Sequence, residues 1–165
     1  MVRIIFIVVL VAVHIVLGCP SWLAAKEVDY WLRALSYSAF HANWWHLAVN
    51  CLAIWTIFSP KRRGKALQDV TAFLIAVLVY PLSLRPVVGI SNFLYAVIGL
   101  RSPALSSKWW KSPGTITFLA VTLLMLFIPQ FSATTHIAAF ICGVLAASVK
   151  RGLNSLLKDA RRYIK

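Results

Sequence analysis

The residues of this chain with the most chemistry to offer sit in strongly apolar surroundings. His14, His41, His46 and His136 each fall in or at the edge of an apolar segment, as do Asn50, Ser91, Asn92 and Tyr95. No acid accompanies them, because Glu27, Asp29, Asp69 and Asp159 all lie in or beside polar stretches. That absence removes several chemistries. The His-Glu-x-x-His pattern of a metalloprotease is missing. A membrane aspartyl protease or a proton-coupled transporter would need carboxylates at membrane depth. A Ser-His-Asp triad has no acid to orient its imidazole. Cys19, Cys51 and Cys142 are too far apart to read as a metal site or a disulfide framework, and neither a metal nor a cofactor is expected. What remains is a serine–histidine pair with neutral helpers, in which an imidazole takes the hydroxyl proton as the oxygen attacks an acyl carbon.

The elements that must position these groups are membrane helices. Of 165 residues, 61% are hydrophobic and 13% charged, and the mean hydropathy is +0.80, whereas soluble domains are about 45–50% apolar and about 25% charged. At about 20 residues per crossing the chain has room for six spans and no second domain. The expectation is an all-α, polytopic membrane protein: one domain over residues 1–165, with a core over 1–150 and a basic tail over 151–165. The expected helices are Val2–Gly18, His41–Phe58, Val70–Leu84, Ser91–Arg101, Thr115–Ile128 and Thr134–Val149. Pro60, Pro103 and Pro129 follow three of them. The first segment also has the look of a signal peptide, with Val16-Leu17-Gly18-Cys19 loosely like a lipobox. Five further apolar segments follow it, so it is read as a retained helix. Cys19–Phe40 reads as a loop in the membrane interface, where Trp22, Tyr30 and Trp31 mix with charges. The tail, with Leu153, Leu156, Leu157 and Tyr163 among basic residues, suits either an anionic membrane surface or solvent.

Charge placement orients the helices. Lys and Arg total 17 against four acids, a formal charge of +13. With six crossings, 14 of the 17 basic residues fall on one side, and only Lys26, Arg33 and Arg85 on the other. Basic loops stay cytoplasmic, so both termini are expected there. The excess is thereby accounted for without nucleic acid.

Depth then singles out the chemistry. At about 1.5 Å per helical residue, Ser91 lies about 15 Å above Arg101 and Asn50 about 16 Å above Lys61. His136 lies about 21 Å above Lys150, and His46 about 22 Å above Lys61. Four polar residues on three helices thus converge on one level of an about 30 Å core. Ser91–Arg101 is too short to cross that core, so Arg85–Ile90 must dip into the protein, where irregular backbone is tolerated only if it is buried or faces a wet cavity. The first N–H groups of a helix starting there favour negative charge beside Ser91, and Gly89 permits close backbone approach. Ser91, Tyr95 and Gly99 share one helix face, while Ala139, Gly143 and Ala147 form a small-xxx-small stripe below His136. Alone, His14 reads as a bond to a neighbouring helix.

In this setting the chain resembles the rhomboid intramembrane serine proteases. The resemblance rests on His41-Ala42-Asn43-Trp44-Trp45-His46-Leu47-Ala48-Val49-Asn50, on Gly89-Ile90-Ser91 with Tyr95, and on Thr135-His136 with Gly143. Arg33 in Trp31-Leu32-Arg33 is similar to the family's Trp-Arg pair. The resemblance covers Val2 to about Lys150 in a minimal six-helix form. It implies Ser91 as nucleophile and His136 as general base. His46, Asn50 and backbone N–H groups would hold the oxyanion, Tyr95 would stack on His136, and His41 would be structural. Two residues depart from the family pattern, Asn92 and Ala139, each where glycine is common. Asn92 would tighten the nucleophile turn, add an oxyanion donor or mark altered activity. The implied partners are single-pass transmembrane substrates, reaching the site beside the fifth helix and the loop Pro129–Thr134, and the lipid bilayer. The implied location is a bacterial cytoplasmic membrane, since no organelle-targeting extension is visible. The rival readings are a catalytically silent rhomboid-like binding protein and a small transporter or channel.

Overall fold

The computed structural model describes residues 2–20, 29–58, 66–83, 88–102, 111, 116, 120–124, 127 and 132–163. Among these there are helices, turns and bends but no strand. The elements are α1 (Val2–Leu17), α2 (Tyr30–Ser36), α3 (Trp44–Ile57), α4 (Ala66–Val79), α5 (Ser91–Arg101) and α6 (Ala133–Tyr163), with 3₁₀ turns at Tyr37–Ala39 and Tyr80–Leu82.

The expected bounds hold for α5 and shift elsewhere, for local reasons. Asn43 caps α3, its side chain accepting the His46 N–H at 2.9 Å, so His41 precedes the helix. The stretch taken for an interface loop contains α2, because Asp29 caps it by accepting the Leu32 N–H at 3.0 Å. α4 starts earlier than Val70 and tightens into the 3₁₀ turn that holds Pro81. α6 does not stop at Val149 but runs through Lys150-Arg151 to Tyr163. Its later residues are mostly good helix formers without proline, and Gly152 alone costs only about 1 kcal/mol. Of the expected fifth helix, residues 116 and 120–124 are helical. Residue 127 lies in a turn, and the rest of that segment, residues 129–131, the basic turn at 61–65 and residues 84–87 lie outside the described residues.

α5 is the centre. Every residue from Ser91 to Val97 is buried, with α1, α3, α4 and α6 around it. Phe6 of α1 stacks on Phe93 at 6.4 Å between centroids and meets Phe58 at 5.6 Å. The most extensive helix pair is α5 with α6, and glycine makes it possible. A Cβ on Gly143 would lie 2.5 Å from the Ala96 carbonyl oxygen, and one on Gly99 would overlap that of Phe140. Ala139 is fully buried in the same contact.

The surface is inverted relative to a soluble protein. Leu67, Val70, Leu74 and Leu78 of α4 and Ile137, Ile141, Leu145 and Val149 of α6 face outward, while His41, Asn50, Ser91, Asn92, Thr135 and His136 are buried. Apolar surface of this extent marks contact with lipid or protein. Among the described residues one helix, over Ala133–Arg161, is long and apolar enough to cross a membrane; α1, α3 and the α4 stretch are shorter apolar helices.

Candidate active site

The serine and the α6 histidine meet at the N-terminal ends of α5 and α6. Ser91 Oγ lies 2.6 Å from His136 Nε2, and the two residues are 5% and 2% exposed. Ser91 opens α5 because Gly89, at φ +107°, turns the chain in a region that L side chains rarely adopt. His136 sits in the first turn of α6, its N–H bonded to the Ser132 carbonyl at 3.3 Å. With Ser91 Oγ–H donating to Nε2, the imidazole carries its other proton on Nδ1, which is buried and turned toward the Ser132 backbone, with no carboxylate beside it among the described residues. The Tyr95 ring lies 4.7 Å from the His136 ring at 38°. The Tyr95 hydroxyl is itself tied to Thr122 Oγ1 at 2.9 Å. Packing and that ring, not a carboxylate, orient the imidazole.

The α3 residues reach the same place through Gly89. A Cβ on Gly89 would lie 2.7 Å from His46 Cε1 and Nε2 and 3.2 Å from Asn50 Nδ2. The imidazole and the amide therefore press on the backbone two residues before Ser91. Asn50 is 4% exposed, and its Nδ2 is buried without a partner among the described residues. Asn50 Nδ2 and the His46 ring thus share the space beside Gly89, and α5, which opens two residues later, has no side-chain cap. A buried donor left unpaired costs about 1–3 kcal/mol.

The remaining sequence candidates have structural surroundings. His41 is fully buried and meets His46 edge-on at 5.2 Å, ahead of α3 rather than beside Ser91. His14 meets Trp44 edge-on at 4.5 Å, joining α1 to α3. The Asn92 amide donates to the Tyr37 hydroxyl at 3.2 Å and is fully buried, so this group braces the fold and is not aimed at an oxyanion. Arg33 is half-buried on α2.

Sequence reasoning missed Tyr37. Its hydroxyl donates to the Ala76 carbonyl at 3.0 Å while accepting from Asn92, and its own carbonyl accepts the Gly89 N–H at 2.9 Å. One residue of the first loop thereby fixes α4, α5 and the glycine turn. The signal was available: Ala34, Tyr37 and His41 recur at helical spacing and are all buried.

A family model described as Rhomboid domain matches residues 28–152. No curated protein and no solved structure matched the chain.

Proposed function

The chain belongs to the rhomboid family and is an integral membrane protein, and from that premise we propose that it is an intramembrane serine endopeptidase working through Ser91 and His136. The observation that carries the reading is the 2.6 Å contact between the hydroxyl of buried Ser91 and Nε2 of buried His136, on two tightly packed helices. His136 takes the hydroxyl proton as Ser91 Oγ bonds to a substrate carbonyl carbon, whose oxygen becomes the oxyanion. Asn50 Nδ2, the His46 ring and the first N–H groups of α5 receive that charge, each such donor being worth about 2.7–4 kcal/mol in a site closed to bulk water. His136 then gives its proton to the leaving amine, leaving an acyl-enzyme ester on Ser91. A water attacks this ester while His136 accepts its proton, and collapse returns the proton to Ser91 and frees the carboxylate.

The substrates in this reading are single-pass membrane proteins whose helix opens near its outer end. Six crossings with both termini cytoplasmic follow from the basic loops. Arg3 and Arg101 support the same end for both: Arg3 stacks on Trp55, and Arg101 Nη1 donates to the Ile57 carbonyl at 2.5 Å, so both gather at the end of α3. A bacterial cytoplasmic membrane is the proposed location.

The test is cleavage of a model transmembrane substrate in proteoliposomes by wild type, Ser91→Ala and His136→Ala, with fluorophosphonate labelling in parallel. Wild type cleaves and labels, and both variants lose both activities. A folded wild type that neither cleaves nor labels marks a silent rhomboid-like protein, and equal cleavage by all three rejects the dyad.

A further inference from the structure

Far from Ser91, where α5 ends, α4, α5 and α6 part around a cavity of about 480 Å³. Its walls divide by chemistry. Leu67, Leu100, Ala146 and Ala147 are apolar, whereas Arg101, Lys150 and Arg151 bring three positive charges, and no carboxylate lines it among the described residues. The Arg101 guanidinium is held in place by the Ile57 carbonyl and by the Phe58 ring at 5.7 Å. Arg151 is steadied by Ser148 Oγ at 3.1 Å. Two further lining residues carry polar atoms that are buried with no partner among the described residues: Ser102 Oγ, on a residue 2% exposed, and Gln68 Oε1. Neither the proposed dyad nor the packing of α5 on α6 uses any of these groups.

We propose that this cavity binds one anionic phospholipid of the cytoplasmic leaflet. The phosphate meets Arg101, Lys150 and Arg151 and accepts from Ser102 Oγ–H, a headgroup hydroxyl donates to Gln68 Oε1, and an acyl chain leaves along the apolar wall between α4 and α6. Basic pockets between membrane helices on the cytoplasmic side suit such headgroups. The outward leucines of α4 continue the wall toward the bilayer centre. The occupant is a lipid rather than a soluble phosphate because the apolar walls would otherwise stay wet. The assignment to the cytoplasmic leaflet rests on the proposed orientation, but binding itself is read without any proteolysis.

The test is titration of phosphatidylglycerol into the full-length protein in neutral detergent micelles, with bound lipid counted by native mass spectrometry. Phosphatidylcholine and glycerol phosphate are the comparison arms. Wild type and Ser91→Ala bind one phosphatidylglycerol ahead of phosphatidylcholine, and glycerol phosphate does not displace it. Lys150→Gln with Arg151→Gln, both exposed and so compatible with folding, raises half-saturation roughly 30-fold, from about one factor of five per charge. Ser102→Ala weakens binding by a smaller factor. Lys158→Gln with Arg161→Gln, beyond the cavity on α6, leaves the first lipid in place. Equal binding of the two lipids, displacement by glycerol phosphate, or equal losses from the two double variants would overturn the proposal.

Discussion

Asn50→Ala separates catalysis from structure most sharply. The amide could serve either as a donor to the proposed oxyanion or as helix-to-helix glue, and the two roles predict opposite balances of activity and stability. Asn50 Nδ2 is buried and has no partner among the described residues. Removing it therefore breaks no hydrogen bond at that atom and relieves a desolvation penalty of about 1–3 kcal/mol. Against that stands the packing lost with the rest of the side chain, which is of similar size for a truncation of a few atoms. Stability should accordingly stay within about 1 kcal/mol of wild type. Catalysis should not: one oxyanion donor is worth about 2.7–4 kcal/mol, or a fall of about 10²–10³ in kcat. Single-turnover cleavage in proteoliposomes reads the catalytic loss, and thermal unfolding in detergent reads the stability. A fall in stability of 2–3 kcal/mol with a loss of activity no larger than the loss of folded protein would mean that Asn50 holds helices together, and the oxyanion assignment would be wrong.

Two further outcomes follow from the same geometry. Tyr37→Phe strands the Asn92 amide and the Ala76 carbonyl, both buried, and should lower stability by about 1–3 kcal/mol while the Gly89 N–H bond to the residue 37 carbonyl persists; thermal unfolding checks it, and an unchanged midpoint would remove Tyr37 from its bracing role. Gly143→Ala puts a methyl 2.5 Å from the Ala96 carbonyl oxygen, so α5 and α6 must separate. Cleavage and fluorophosphonate labelling should fall together, and labelling at the wild-type rate would show that the dyad tolerates a looser helix pair.

Much of this was legible in the residues. α5 was readable to its ends because two local signals bracket it, the glycine turn before Ser91 and Pro103 after Arg101. The meeting of the α5 and α6 faces followed from a spacing of four on one helix and a stripe of small residues on the other. The position of Asn92 was not legible, because its partner Tyr37 lies 55 positions away in a stretch whose mixed aromatic and charged composition reads as interface. The extent of α6 was misjudged for a different reason. A run of basic residues marks where apolar lipid ends, but the helical hydrogen bonds continue through it, so polarity and secondary structure end at different places.

A catalytic imidazole usually owes its orientation to an acid on its far nitrogen, and here Nδ1 meets no carboxylate among the described residues, only the Ser132 backbone. The α5–α6 contact offers the substitute. α5 and α6 run in the same direction, and their backbones touch where Gly99 faces Gly143. From that contact Ser91 lies eight residues back along α5 and His136 seven back along α6, or about 12 Å and about 10.5 Å at the helical rise. The two reacting groups are thereby brought to within about one residue of the same height, and a shift of either helix by a single turn, about 5.4 Å, would separate them. The close crossing forbids that shift, because the next positions on either face carry side chains larger than hydrogen. In this reading the glycine pair is a positioning device for the dyad, since it sets by helix register what a carboxylate sets elsewhere by a hydrogen bond.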